Sequence, residues 1–184
     1  MNKIQRVSKF FKWLFIITGI VLPVLLIIYW FHAPESITTE HPALIMNDIP
    51  TNIKILHPLS STTKLLGFAI SLMPLAVNLF ILYFLIHLFQ LYQQCEIFSL
   101  RNVRYIKKIG YTLFIGQLIV NPIYEALLSA ALTLGNPRVS HERMAAISFS
   151  GTNVAILITA LLIILISWIM AEGHQLAEDQ KYTI

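Results

Sequence analysis

The chain has 184 residues, 57% of them hydrophobic and only 12% charged, with a net charge of +4; a soluble domain carries about 25% charged residues. The charges fall in short clusters separated by long apolar runs, and no remaining segment reaches the size of about 50 residues that a separate soluble domain needs. The single cysteine, Cys95, excludes an internal disulfide and a cysteine-built metal site.

Mean hydropathy is +0.71, and a membrane-crossing helix needs about 20 apolar residues. Four runs meet that length. The first, residues 10–31, reads FFKWLFIITGIVLPVLLIIYWF. Lys3, Arg6, Lys9 and Lys12 precede it as the basic region of a signal peptide would. Its apolar stretch is nevertheless longer than the roughly 7–15 residues of a signal core, and YWFHAPE offers no small-residue cleavage pattern. It reads as an uncleaved span. Pro23 inside it is tolerable in a membrane helix, and Trp13, Tyr29 and Trp30 suit the two interfacial belts.

Residues 33–64 form an outer loop rich in Pro, Thr, Ser and Asn, with a short strand or interfacial turn expected at residues 52–56. The second span, residues 65–92, exceeds the bilayer thickness and is expected to tilt or project. A polar turn, residues 93–108, follows. Within it Ser99 is the expected N-cap of the next helix, and Phe98 and Val103 stand at the positions of a hydrophobic staple. The third span, residues 109–134, stops at GNPR, a glycine with a proline beyond. After a short loop comes the fourth span, residues 152–171, whose helix is expected to continue into the tail, residues 172–184. The two halves show no inverted-repeat similarity, which weighs against a transporter.

Lysine and arginine counts orient the spans. The N-terminal tail, the second loop and the C-terminal tail hold nine; the first and third loops hold four. The expectation is an all-α membrane protein, a four-transmembrane-helix bundle forming one integral membrane domain with both termini in the cytoplasm.

Two groups of polar residues stand out. Gln117, Asn121, Glu125 and Ser129 recur every four residues, so they share one helical face. Asn78 in the second span lies at a comparable depth. Asn78, Gln117, Asn121 and Glu125 define a candidate intramembrane polar pocket, since an ionisable residue inside a span is a functional candidate by default. The same residue types also hydrogen-bond helices together without further function. Lys64 and Arg138 are the natural cationic partners for Glu125. The second group is cytoplasmic: Arg101, Arg104, Lys107 and Lys108 fall on roughly one helical face, beside Glu96 and Phe98. An acidic tail with Glu172, Glu178 and Asp179 complements their charge. The turn and the tail are expected to pack as a cap, with Glu96, Phe98, Arg101, Arg104, Glu178 and Asp179 forming a candidate docking surface. The basic residues sit beside a span, so anionic headgroups explain them better than nucleic acid does.

No metal or cofactor site is expected, because the six histidines are scattered without ligand spacing. HExxH, GxSxG, Walker A and GxGxxG are absent from the sequence, and an enzyme is not expected.

The segment LYQQCEIFSLRNVRYIKKIGY and the ending AEGHQLAEDQKYTI together resemble a domain-of-unknown-function family of small bacterial membrane proteins with four helices. Glu96, Ile97, Phe98, Asn102, Val103, Ile109 and Gly110 match its turn motif, and Leu176, Glu178, Asp179, Gln180, Thr183 and Ile184 match its tail. Cys95 stands where the motif has glycine. The resemblance implies a bacterial inner-membrane location and no assigned activity. Members often lie near genes for small helix-turn-helix regulators, which implies signalling or sequestration by analogy. The function expected is therefore that of a non-enzymatic protein acting through a protein partner or as a homo-oligomer, as a regulator or accessory subunit. The alternative is small-molecule binding or transport at Glu125.

Overall fold

The structure is a computed structural model that describes residues 3–31, 60–94, 99–134 and 152–181. The described residues are helical almost throughout: α1 (Lys3–Phe31), α2 (Ser61–Gln93), α3 (Leu100–Ile115), a π-helical turn (Gly116–Val120), α4 (Asn121–Leu134) and α5 (Val154–Lys181). With α3, the π turn and α4 read as one rod, four helices are long and apolar enough to cross a membrane. Residues 33–59 of the outer loop with its expected strand at residues 52–56, the Phe98 half of the staple and the third loop lie outside the described residues, as do Cys95, Glu96, His32, His41, His57, Arg138 and His141, whereas residues 61–64, expected in the loop, form the first turn of α2.

Side chains on these helices explain why they need lipid. Ile17 and Ile20 on α1 are 55% and 63% exposed, and Leu161, Leu165 and Ile169 on α5 are 52%, 50% and 63% exposed. Water would penalise so much contiguous apolar surface, whereas hydrocarbon does not. Three hydroxyls within the spans are satisfied locally. Thr18 Oγ1 donates to Leu14 O at 2.9 Å, Thr159 Oγ1 to Ala155 O at 2.8 Å and Ser167 Oγ to Ile164 O at 2.6 Å. Such back-bonding meets the requirement that no polar group be left bare in a bilayer.

The third rod begins earlier than hydropathy alone suggests. Helix α3 starts at Leu100, so the basic residues 101–108 are its first turns rather than a loop. Ser99 caps it as expected. Its Oγ accepts from Asn102 N–H at 3.3 Å, and its carbonyl accepts from Val103 N–H at 3.2 Å. Farther along, Pro122 lacks the N–H that would bond Leu118 O, and its ring would crowd that carbonyl. The π turn ends at Val120, two residues before Pro122, and the wider turn, which includes Leu118, relieves that crowding.

The chain divides into two compact units. The first comprises residues 1–19, 78–115 and 154–184. In it α1 and α2 meet through stacked Phe11 and Phe89, 5.3 Å between ring centroids, with Phe15 beside Phe89 at 5.5 Å. Gln5 Nε2 donates to Gln93 O at 3.3 Å. Helices α3 and α5 lie close because Gly110 has no side chain. A Cβ there would stand 2.7 Å from Ile164 Cγ1 and 3.2 Å from the carbonyl oxygen of Ala160, itself fully buried. Small residues permit such approach where lipid supplies no hydrophobic drive.

The second unit comprises residues 20–77 and 116–153. Its core is Leu26, Trp30, Tyr124, Leu128 and Leu132, flanked by Tyr29, Phe68, Ile70 and Leu75. The Trp30 ring lies over Gly67, where any Cβ would run into it. Its indole N–H donates to Ser71 Oγ at 3.2 Å, and Ser71 Oγ donates in turn to Gly67 O at 2.7 Å. Gly116, at the start of the π turn, packs against Val77.

Candidate functional site: a basic cleft and a buried carboxyl

Three features carry chemistry. The first is a cleft of about 490 Å³ in the first unit. One wall is α2, with His87, Gln90, Leu91 and Gln94; the other is α3, with Arg101, Arg104, Tyr105 and Lys108. Positions 101, 104 and 108 recur at i, i+3 and i+7, so one face of α3 presents all three cations. His87 and Tyr105 stack across the cleft with centroids 5.5 Å apart, and His87 Nδ1 lies 2.9 Å from Tyr83 O. Lys108 Nζ sits 5.5 Å from the Phe84 ring centre and 5.8 Å from that of Tyr105. These ring contacts hold the ammonium in place. Lys107 does not join this face; it lies over Tyr111 at 5.9 Å. Helical phase separates neighbouring residues by about 100°, which is why only one of the two lysines lines the cleft.

The second feature is the polar stripe on the third rod. Gln117, Asn121 and Glu125 are all buried, at 6%, 2% and 5% exposure. Asn121 Nδ2 donates to Glu125 Oε1 at 3.1 Å. Tyr124, next to Glu125, is fully buried, and its hydroxyl lies beside Ser71 without a hydrogen bond of good geometry. Asn78 is exposed. It follows Val77, the residue that meets Gly116, and so points about 100° away from that contact.

The third feature is the tail. Helix α5 continues past the apolar run to Lys181. His174 Nδ1 and Glu178 Oε1 are 3.9 Å apart, one helical turn from each other. Glu178 and Asp179 are exposed. Of the expected docking surface, Arg101 and Arg104 belong to the cleft and Glu178 and Asp179 to this helix, while Glu96 and Phe98 lie outside the described residues.

Hydropathy and charge counting miss two elements. One is the α2 wall: His87, Gln90 and Gln94 at i, i+3 and i+7 are the signal that would have found it. The other is an apolar pocket of about 480 Å³ in the second unit, between Trp30, Phe31 and Phe68, with Lys64 at its edge. Only folding brings those residues together.

A chain whose described residues are almost wholly helical, and whose long helices expose apolar side chains, is a multi-span membrane protein. Over residues 14–184 it belongs to the family described as protein of unknown function (DUF2975). No curated protein and no solved structure matches the chain.

Proposed function

We propose that this is a bacterial inner-membrane protein with both termini and the α2–α3 connection in the cytoplasm. It is non-enzymatic and acts through a protein partner, as a regulator or accessory subunit of a membrane complex. The observation that carries this reading is the extension of α5. Its final turns are not needed to cross a bilayer, yet they remain helical, with Leu176 58% exposed between Glu172 and the pair Glu178 and Asp179. An exposed leucine ringed by acids suits a partner surface that is basic with an apolar centre. By analogy, members of the family this chain resembles often lie near genes for small helix-turn-helix regulators, and nucleic-acid-binding surfaces are basic by necessity.

The test is a mild-detergent purification of the native protein with identification of what co-purifies, repeated with Leu176→Ser and Glu178→Lys/Asp179→Lys. A partner retained by the native chain and lost from both variants supports the reading. A monodisperse native sample that carries nothing, even after crosslinking in the cell, refutes it.

A second reading rests on Glu125, a buried carboxyl five residues beyond the π turn. π turns are frequent at functional sites, and this one would let a small polar ligand reach the Asn121–Glu125 pair. Glu125→Gln keeps the shape and removes the charge. Loss of ligand binding or transport in reconstituted vesicles, with unchanged folding, would favour this reading over the partner.

A further inference from the structure

We propose that the cleft between α2 and α3 binds the phosphodiester headgroup of an anionic phospholipid. The inference uses neither the α5 tail nor the orientation of the chain, so it stands independently of the partner reading.

Charge comes first. Arg101, Arg104 and Lys108 line one wall, no carboxylate among the described residues lines either, and the Gln90 and Gln94 amides add neutral donors. Arginine forks match phosphate oxygens two at a time. The position of these cations is itself unusual. Helix α3 begins at Leu100 with no acidic residue in its first turn. Arg101 therefore sits in the first turn, at the positive end of the helix, where a cation is disfavoured and an anion favoured. An anion seated in the cleft turns that repulsion into an attraction, and Lys108 is already held towards it by the Phe84 and Tyr105 rings.

Location then selects a lipid over an acidic peptide. The long apolar run of α2 ends at Tyr92, two residues before Gln94, and Lys108 directly precedes the apolar run that begins at Ile109. The cleft lies where both helices change from polar to apolar. Its walls include Leu91, only 7% exposed, and the half-buried Tyr105 ring. A headgroup fits that mixture, because its phosphate meets the cations and its glycerol and upper acyl carbons meet the apolar side chains. Basic pockets between membrane helices bind anionic headgroups in this way.

Native mass spectrometry of the full-length protein in a neutral detergent tests the assignment. Phosphatidylglycerol, phosphatidylcholine, inorganic phosphate and an oligoglutamate peptide are titrated separately. One copy of phosphatidylglycerol is expected to bind well below the concentration at which phosphatidylcholine or phosphate does. The variant R101Q/R104Q/K108Q should weaken it about a hundredfold, at roughly fivefold per cation, with R104Q alone giving the single step. The charge-matched variant K3Q/R6Q/K9Q, at the start of α1, should bind like the native chain. Equal binding of phosphatidylcholine, or equal loss in the charge-matched variant, overturns the site. Inorganic phosphate binding as tightly as the lipid makes it a free-anion site instead. An oligoglutamate peptide that binds and excludes the lipid makes it a peptide site. Either of those results also overturns the proposal.

Discussion

Gly110 and Gly173 make a paired test of how α3 and α5 are held together. Both are helical glycines, so alanine at either position gains up to about 1 kcal/mol of helix propensity. Their surroundings differ. A Cβ at Gly173 meets nothing within 4 Å, whereas one at Gly110 stands 2.7 Å from Ile164 Cγ1 and 3.2 Å from both Ile163 Cγ2 and the Ala160 carbonyl oxygen. The Ile164 side chain can turn, but the Ala160 carbonyl is backbone and moves only if α5 moves. Overpacking of this kind costs about 1–3 kcal/mol. Gly110→Ala should therefore be destabilised by up to about 2 kcal/mol net of its propensity gain, while Gly173→Ala is stabilised by about 0.5–1 kcal/mol. Tryptophan-fluorescence melting in one detergent, with all three proteins side by side, reads the two signs directly. Gly110→Ala melting above the native protein, together with Gly173→Ala, would refute the close approach of α3 and α5.

Gly67→Ala should be more damaging than Gly110→Ala, by about 3 kcal/mol or more, because the obstacle is the buried Trp30 ring; the same melting series ranks the two. Ser99→Ala removes the acceptor for Asn102 N–H, so the chain should lose about 1 kcal/mol of stability, and Ser99→Asp should restore it. Asn121→Leu takes away the donor to buried Glu125 and should cost about 1–3 kcal/mol. The double variant Asn121→Leu/Glu125→Leu, with no carboxyl left to satisfy, should recover much of that loss, as unfolding in a denaturing detergent titration would show.

Hydropathy made the helices legible, since runs of twenty apolar residues have few other uses. Ser99 was legible as a cap because capping is a local rule about one side chain and the next turn. Other features rest on contacts between residues distant in sequence. His87 and Tyr105 are separated by a polar turn and meet only when α2 and α3 fold back on each other. Gly110 appears in the motif that carries the family resemblance, yet its physical reason, the Ala160 carbonyl and the Ile164 side chain opposite, lies fifty residues away. The stripe at Gln117, Asn121 and Glu125 followed from a spacing of four, but the spacing said nothing of the π turn on which Gln117 sits. Asn78 shows the limit of depth as a criterion, because depth along a span does not say which way a side chain points.

A π turn inside a long helix amounts to one residue more than the regular spiral needs, and that has a consequence for lineage. Relatives in which residues 116–120 are one residue shorter would run as an unbroken α-helix there. Every position beyond the gap would then fall about 100° around the rod from where it falls in this chain. Sequences of the family aligned through this stretch should therefore sort by a one-residue gap, and those with the gap should carry their counterpart of Glu125 at a compensating offset or lack it altogether.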